Sequence, residues 1–127
     1  MQKFLRYGRL SMVLLLLSAP AVNAAQSVSP VEASALQAGK QAVIIDVRED
    51  SEWQSEHIPG AIHIPLAELP KRLDELKKYQ NSEVITQCRS GRRSLQAQEI
   101  LKSAGFAKVY NLDGGLNAWD KAGLATE

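Results

Sequence analysis

The sequence contains one cysteine, Cys88, and three arginines follow it within five residues. A nearby cation favours the thiolate, which is the nucleophilic form of cysteine. A lone cysteine is commonly a buried structural residue, but the residues that follow this one are basic, small and polar, as in a loop. The sequence therefore predicts a reactive thiol within the segment Cys88-Arg89-Ser90-Gly91-Arg92-Arg93.

The elements on either side of this segment indicate an anion-binding loop. An apolar strand is predicted over 83–87 and a helix over 94–104, so Cys88 falls at the carboxyl end of a strand, where open α/β sheets bind ligands. The N-terminus of a helix offers backbone N–H groups and partial positive charge, and Gly91 allows the backbone to curl tightly. Arginines oppose that partial charge, so three of them imply a bound anion, which arginine side chains hold well. The alternative is a solvated basic helix start.

The rest of the chain alternates between strand and helix patterns. The run over 42–47 is apolar and β-branched without alternation, as in a parallel strand buried on both faces. Such alternation predicts an α/β fold with a mainly parallel sheet and right-handed crossovers. The predicted strands are 42–47, 61–64, 83–87 and 109–112, after a short entry strand or linker over 26–30. The predicted helices are 31–38, 51–56, 67–79, 94–104 and a last one containing Leu116 and Trp119.

The N-terminus has the three parts of a secretory signal peptide. It carries basic residues without acids, then an apolar run over 12–17, then the small residues around Ala24. The run is far shorter than the ~20 residues that span a bilayer. We expect a signal peptide over 1–24, a single domain over 25–127 and an exported, periplasmic protein. An uncleaved anchor or a short buried helix is the alternative.

Charge argues against nucleic acid and against an acidic membrane surface as partners. Three of the 15 Lys and Arg residues and none of the 14 Asp and Glu residues lie in the predicted signal. The remaining 12 basic and 14 acidic residues give a formal net charge of −2. The basic segment after Cys88 is therefore a local feature. After signal cleavage we expect no membrane association.

Three ordered segments resemble the rhodanese family, in particular its small exported bacterial members. The match covers roughly residues 27 to 123. The first segment begins Asp46-Val47-Arg48 and continues through Trp53 to Glu56-His57-Ile58-Pro59-Gly60-Ala61-Ile62-His63-Ile64-Pro65. The second is the six-residue Cys88 segment, and the third is Gly114-Gly115-Leu116-Asn117-Ala118-Trp119. The resemblance implies a three-layer α/β/α fold with a mainly parallel central sheet of about five strands.

The resemblance also implies an activity, thiosulfate sulfurtransfer. Cys88 would attack the outer sulfur of thiosulfate or a similar donor, sulfite would leave, and cyanide or a thiol would take the sulfur from a Cys88 persulfide. Backbone N–H groups of residues 89–93, including Ser90 and Gly91, would cradle the anion. Arg93 would close the loop, and Arg89 and Arg92 would grip the donor. The expected partners are the small-molecule donor and acceptor, with a protein acceptor as a further option, and no metal or cofactor is expected.

Roles outside the loop are left open by the sequence. Asp46 and Arg48 either support the loop, as the resemblance implies, or form a structural ion pair or a turn-capping pair. His57 is expected to be structural, since it precedes a Pro-Gly turn. Trp53 and Trp119 are expected to pack in the core or at its rim.

Three other functions compete with the sulfurtransferase. Phosphatases and arsenate reductases share a cysteine loop, but they place arginine one residue later than Arg93, and a shorter loop suits sulfur better than phosphate. A non-enzymatic rhodanese-like binding module commonly lacks the cysteine that this chain has. A persulfide carrier serving a protein partner stays open, because the identity of the acceptor depends on surface shape.

Overall fold

The structure is a computed structural model that describes residues 26–127. The predicted signal peptide, 1–24, lies outside the described residues. The strands are β1 (Ser27–Val28), β2 (Ala42–Asp46), β3 (Ile62–His63), β4 (Glu83–Gln87) and β5 (Lys108–Leu112). The α-helices are α1 (Pro30–Ala38), α2 (Asp50–Ser55), α3 (Arg92–Ser103) and α4 (Gly115–Lys121).

The five strands form one sheet in the order β1-β5-β4-β2-β3. All four neighbouring pairs are parallel, which confirms the predicted parallel sheet. In the register of β2 against β4, Asp46 pairs with Gln87. The segments that follow these residues, which begin with Val47 and Cys88, therefore leave the sheet at the same edge.

Helices cover both faces of the sheet, as expected of a parallel sheet. Successive β4 side chains enter opposite cores: Val84 packs with Leu101 of α3 on one face, and Ile85 packs with Ala33 of α1 and Leu116 of α4 on the other. This is the predicted three-layer arrangement. It fixes α3 and α4 on opposite sides of the strand that ends at Cys88.

Two helix predictions differ from the structure by more than one residue at an end. The predicted helix over 67–79 is a pair of 3₁₀ segments, Leu69–Lys71 and Leu73–Tyr79. Pro70 has no N–H to donate to an α-helix, and short 3₁₀ pieces are typical of such connections. Leu69 and Leu76 are still buried, so the spacing of the leucines identified the buried face. Helix α3 begins at Arg92, two residues before the predicted start.

Among residues 26–127, no helix is both long and apolar enough to span a membrane.

Candidate active site

Cys88 lies at the floor of the loop that joins β4 to α3. Its residue is only 1% exposed, so the thiol is buried and the predicted loop surrounds it rather than exposing it. The Gly91 N–H donates to Cys88 Sγ at 3.1 Å. Gly91 has φ of 103°, a left-handed conformation that glycine adopts without a Cβ penalty. The backbone at this glycine turns its N–H towards the sulfur.

Burial raises the pKa of the Cys88 thiol, but hydrogen bonds outweigh burial and hold that pKa below its ordinary value. These hydrogen bonds come from the Ser94 hydroxyl and from the backbone N–H groups of Ser94, Gly91 and Ser90. Hydrogen bonds to the charged form stabilise that form. The lowered pKa therefore comes from this hydrogen-bonded cradle, whereas the sequence predicted a contribution from the neighbouring arginines as well.

Ser94 and Asn111 complete the floor of the site, and sequence reasoning missed both. Ser94 Oγ lies 3.3 Å from Cys88 Sγ and 2.5 Å from Asn111 Oδ1. Asn111 also donates from Nδ2 to the Gly91 carbonyl at 3.2 Å. A polar residue near the carboxyl end of the apolar strand β5 was the signal for Asn111. For Ser94, the signal was a small polar residue in the first turn of α3.

Arg93 does not face an open anion site, because it forms a two-pronged ion pair with Glu52 of α2. Its Nη1 lies 2.7 Å from Glu52 Oε2 and its Nη2 lies 2.9 Å from Oε1. This pair holds the pKa of the Glu52 carboxyl at about 2 and raises the pKa of Arg93. By resemblance Arg93 closes the loop, and the structure shows that it ties the start of α3 to α2.

Replacing Glu52 with glutamine should remove a pH-dependent part of the free energy of unfolding. A carboxyl whose pKa falls from about 4.5 to about 2 on folding stabilises the native state fully above the higher value. That contribution is lost as the pH falls through the folded-state pKa of about 2. Urea unfolding measures the free energy of unfolding of wild type and variant at pH 6 and at pH 3. The difference between the two proteins should be larger at pH 6. A difference independent of pH would contradict the ion pair.

Arg89 and Arg92 are exposed at the mouth of the loop. In the described part of the chain neither side chain has an ion-pair partner. Ser90 is also exposed, and its contribution to the site is its backbone N–H. Of the three predicted arginines, these two are therefore the ones available to an incoming anion.

Asp46 and Arg48 form a buried ion pair beside the loop. They are 0% and 2% exposed, and Arg48 Nη2 lies 2.8 Å from Asp46 Oδ2. Arg48 also donates from Nη2 to the Glu56 carbonyl at 2.7 Å and from Nη1 to the Glu52 carbonyl at 3.3 Å. The structure thus shows the ion pair, and the support of the loop that the resemblance implies stays a prediction. The pair also fixes the backbone of α2, which carries the carboxylate that binds Arg93.

Helix α4 holds the loop from the other side of the sheet. The N–H of Leu116 donates to the Cys88 carbonyl at 2.8 Å, and the N–H of Asn117 donates to the Arg89 carbonyl at 3.1 Å. A Cβ on Gly115 would lie 2.5 Å from the Cys88 carbonyl oxygen, a distance at which the backbone must shift. The predicted Gly-Gly segment therefore matters because it lets the start of α4 contact the loop.

The histidines serve the scaffold of α2 rather than the thiol. The His57 and His63 rings both stack on Trp53, with centroids 3.7 and 4.8 Å from the indole. His57 Nδ1 lies 2.9 Å from the Trp53 carbonyl oxygen, and His63 Nε2 lies 2.7 Å from that of Arg48. These contacts match the structural role expected of His57 and the packing role expected of Trp53.

The cavities within residues 26–127 include a larger one and a smaller one beside the sheet, and Cys88 lines neither of these two. The larger, about 670 Å³, includes Gln37, Ala42 and Tyr79 and lies near the amino ends of β2 and β4. The smaller, about 130 Å³, adjoins Arg89 and includes Glu56 and Asp120. Burial and the neighbouring Glu56 carboxyl raise the pKa of Asp120. The lining of the smaller cavity combines these carboxyls with the guanidinium groups of Arg48 and Arg89, so its charge is mixed.

No cluster of three or more His, Cys, Asp or Glu side chains within residues 26–127 is arranged to hold a metal ion.

A strand-to-helix loop that cradles a single cysteine at the carboxyl edge of a parallel sheet defines a class of cysteine-loop domains. The rhodanese-like domain model matches residues 29–122, and the chain belongs to that family. It is 40% identical over 104 residues to the putative sulfur carrier protein YrkF of Bacillus subtilis, covering 76% of this chain and 55% of that protein. The chain thus spans about half the length of that relative.

Two further comparisons carry enzyme names. The chain is 43% identical over 70 residues to the thiosulfate sulfurtransferase PspE of Escherichia coli, covering 55% of this chain and 67% of that protein. Its fold superposes with a TM-score of 0.72 on a thiosulfate sulfurtransferase from Pseudomonas aeruginosa, at 34% identity over 81% of this chain and 20% of that one. Together with the family, these relatives support sulfur transfer as the general activity.

Proposed function

We propose that this protein is a thiosulfate-type sulfurtransferase that works through a Cys88 persulfide. The observation that carries the proposal is the hydrogen-bonded cradle around Cys88 Sγ, which lowers the pKa of a buried thiol. A buried thiolate with preset donors is an activated nucleophile, and the same donors can stabilise a persulfide anion. The family and the names of the relatives point to the same chemistry.

The first half-reaction takes sulfur from the donor. Cys88 Sγ attacks the outer sulfur of thiosulfate, a new S–S bond forms, and the old S–S bond breaks with its electron pair leaving on sulfite. The exposed guanidinium groups of Arg89 and Arg92 hold the oxyanion end of the donor at the loop mouth. The backbone N–H groups of residues 89–93, with those of Ser90 and Gly91 among them, receive the negative charge of the outer sulfur.

The second half-reaction returns the enzyme to its starting state. Cyanide or a thiolate attacks the outer sulfur, the S–S bond to Cys88 breaks, and the electron pair returns to Sγ. In this scheme Arg93 and Glu52 act together by keeping the first turn of α3 in place. Asp46 and Arg48 do the same for α2, so neither pair touches the reacting sulfur.

Mass spectrometry of the protein after incubation with thiosulfate tests the proposal. We expect the mass to rise by one sulfur atom, the addition to disappear with cyanide, and Cys88→Ser to stay unmodified. Leu95→Ser, which changes an exposed residue two positions beyond Arg93, is the matched control and should gain sulfur normally. An unchanged wild-type mass, together with hydrolysis of an aryl phosphate, would refute sulfur transfer in favour of a phosphatase.

A second candidate function is a persulfide carrier that delivers sulfur to a protein. Leu95 is 41% exposed on the turn of α3 next to the loop. It lies one turn from Arg92, which has no ion-pair partner among residues 26–127, and a partner could contact both. Discharge kinetics separate the two functions. An enzyme acting on small molecules should turn over many times with thiosulfate and cyanide, whereas a carrier should load once and resist small thiols.

We also propose export to the periplasm, based on the signal-peptide pattern over residues 1–24. Expression of the full chain in a bacterium followed by osmotic release of the periplasm tests this. The released protein should begin at residue 25 by N-terminal sequencing. A full-length protein that remains with the cells would refute both cleavage and export.

A further inference from the structure

The Ser94 hydroxyl has two acceptors and only one proton to donate. Its Oγ lies 3.3 Å from Cys88 Sγ and 2.5 Å from Asn111 Oδ1. Ser94 is 0% exposed and Asn111 is 6% exposed, so bulk water does not compete for this proton. Since a hydroxyl donates one hydrogen bond at a time, the sulfur and the amide oxygen must share it.

The orientation of the Asn111 amide is fixed by its other contact. Its Nδ2 lies 3.2 Å from the Gly91 carbonyl oxygen, which can only accept. A flipped amide would set two oxygens against each other there, so the hydrogen-bond network places Oδ1 towards Ser94. Asn111 therefore always presents an acceptor to the hydroxyl. It also holds Gly91, whose N–H donates to the sulfur.

We propose that Asn111 is a positioning residue for the nucleophile, holding the Ser94 proton while Cys88 is a thiol and yielding it to the sulfur when Cys88 ionises. In the thiol state, Cys88 S–H donates to Ser94 Oγ, and Ser94 O–H donates to Asn111 Oδ1. On ionisation the sulfur proton leaves to solvent, and the Ser94 hydroxyl rotates to donate to the thiolate. The S–H bond is the only covalent bond that breaks.

The two residues consequently act on the thiol in opposite directions. Ser94 favours the thiolate because it donates to the sulfur, in keeping with the lowered pKa of Cys88. Asn111 restrains ionisation because it competes for the same proton, and it loses a donor each time the thiolate forms. A purely structural asparagine would have no such effect through Ser94. The inference rests on Cys88 as the nucleophile of the proposed function, but its test needs no sulfur donor.

The pH dependence of Cys88 alkylation by iodoacetamide provides the test on the full-length protein. Ser94→Ala should raise the apparent pKa of the thiol by about 1, the scale of a hydrogen bond to a charged group. Asn111→Leu should lower it in wild type, because the Ser94 proton becomes free for the sulfur. In the Ser94→Ala background, Asn111→Leu should not lower the apparent pKa of the thiol.

The double variant removes a confounding effect. Asn111→Leu also removes the hydrogen bond to the Gly91 carbonyl. The effect of that loss on the thiol pKa is the same with and without the Ser94 hydroxyl. Only the difference between the pKa shifts in the two backgrounds therefore reports the shared proton. Thr86→Val is the matched control, because Thr86 is a buried hydroxyl that donates to the Ser94 carbonyl and not to the sulfur. We expect Thr86→Val to leave the thiol pKa unchanged. Equal shifts from Asn111→Leu in both backgrounds would overturn the proposal.

A measurement on wild type keeps the proposal falsifiable even if Asn111→Leu fails to fold. The Asn111 side-chain ¹³Cγ resonance reports hydrogen bonding at Oδ1, and it should titrate with the midpoint found by alkylation. In Ser94→Ala most of that change should vanish. A resonance that does not titrate in wild type, or that titrates equally in Ser94→Ala, would overturn the proposal.

Discussion

Replacing Asp46 with alanine should lower the free energy of unfolding by about 3–5 kcal/mol, as expected when one partner of a buried ion pair is removed. The guanidinium of Arg48 is 2% exposed and donates three of its hydrogen bonds to the Asp46 carboxylate. Without that carboxylate only the Glu52 and Glu56 carbonyl oxygens remain, and the buried positive charge is left uncompensated. Urea denaturation at pH 7 measures the loss.

Two variants show whether the lost stability comes from the uncompensated charge. Asp46→Leu combined with Arg48→Met should be less destabilised than Asp46→Ala, because apolar replacement of a whole buried pair is often tolerated. Glu75→Ala breaks an ion pair with Arg72 of comparable length, 2.7 Å, at the surface, and should change stability little. If Asp46→Ala were no more damaging than Glu75→Ala, Arg48 would have another partner.

Replacing Gly115 with alanine should reduce kcat/KM for sulfur transfer by roughly 100-fold, the scale of a displacement of about 1 Å at a reactive group. The added Cβ would lie 2.5–2.6 Å from the backbone of Cys88 and Arg89, so α4 or the loop must move. That movement would break the hydrogen bonds that Leu116 and Asn117 donate to the loop carbonyls. Steady-state assays with thiosulfate and cyanide measure the loss.

Gly123 supplies the matched control for Gly115. Both glycines have positive φ, 57° and 72°, so alanine at either position brings similar backbone strain of about 1–2 kcal/mol. No atom lies within 4 Å of a Cβ built on Gly123. Gly123→Ala should therefore lose stability but keep full kcat/KM. Equal activity losses at both positions would mean that strain alone, and not contact with the loop, explains the effect of Gly115→Ala.

The sequence was sufficient to predict features that depend on neighbours along the chain. The strand that ends at Gln87, the loop that starts at Cys88 and the helix that follows are consecutive, so local patterns located them. The parallel sheet also followed from alternation of strands and helices. The helical spacing over 67–79 predicted an α-helix, but the choice of 3₁₀ over α geometry depends on packing that periodicity does not describe.

Contacts between distant residues were outside the reach of such patterns. Glu52 is 41 positions from Arg93, and nothing local distinguishes its carboxylate from the acidic residues around it. Arg93 was therefore assigned to the anion by its place in the loop, whereas the fold pairs it with α2. Likewise, Asn111 contacts Ser94 and Gly91 only because β5 lies beside β4 in the sheet.

The burial of Cys88 affects whether two copies of the chain can form an intermolecular disulfide. A disulfide requires two sulfur atoms about 2.05 Å apart, and a sulfur at the floor of a loop, 1% exposed, cannot approach that of a second copy. Resting enzyme is thus sterically protected from dimerising through its thiol. In the proposed persulfide, the outer sulfur would extend about 2.05 Å beyond Sγ. Sulfur would then be accepted at the buried Cys88 Sγ and released from the more accessible outer sulfur. The persulfide form, rather than the free thiol, would then be the form that reacts with other thiols in its surroundings.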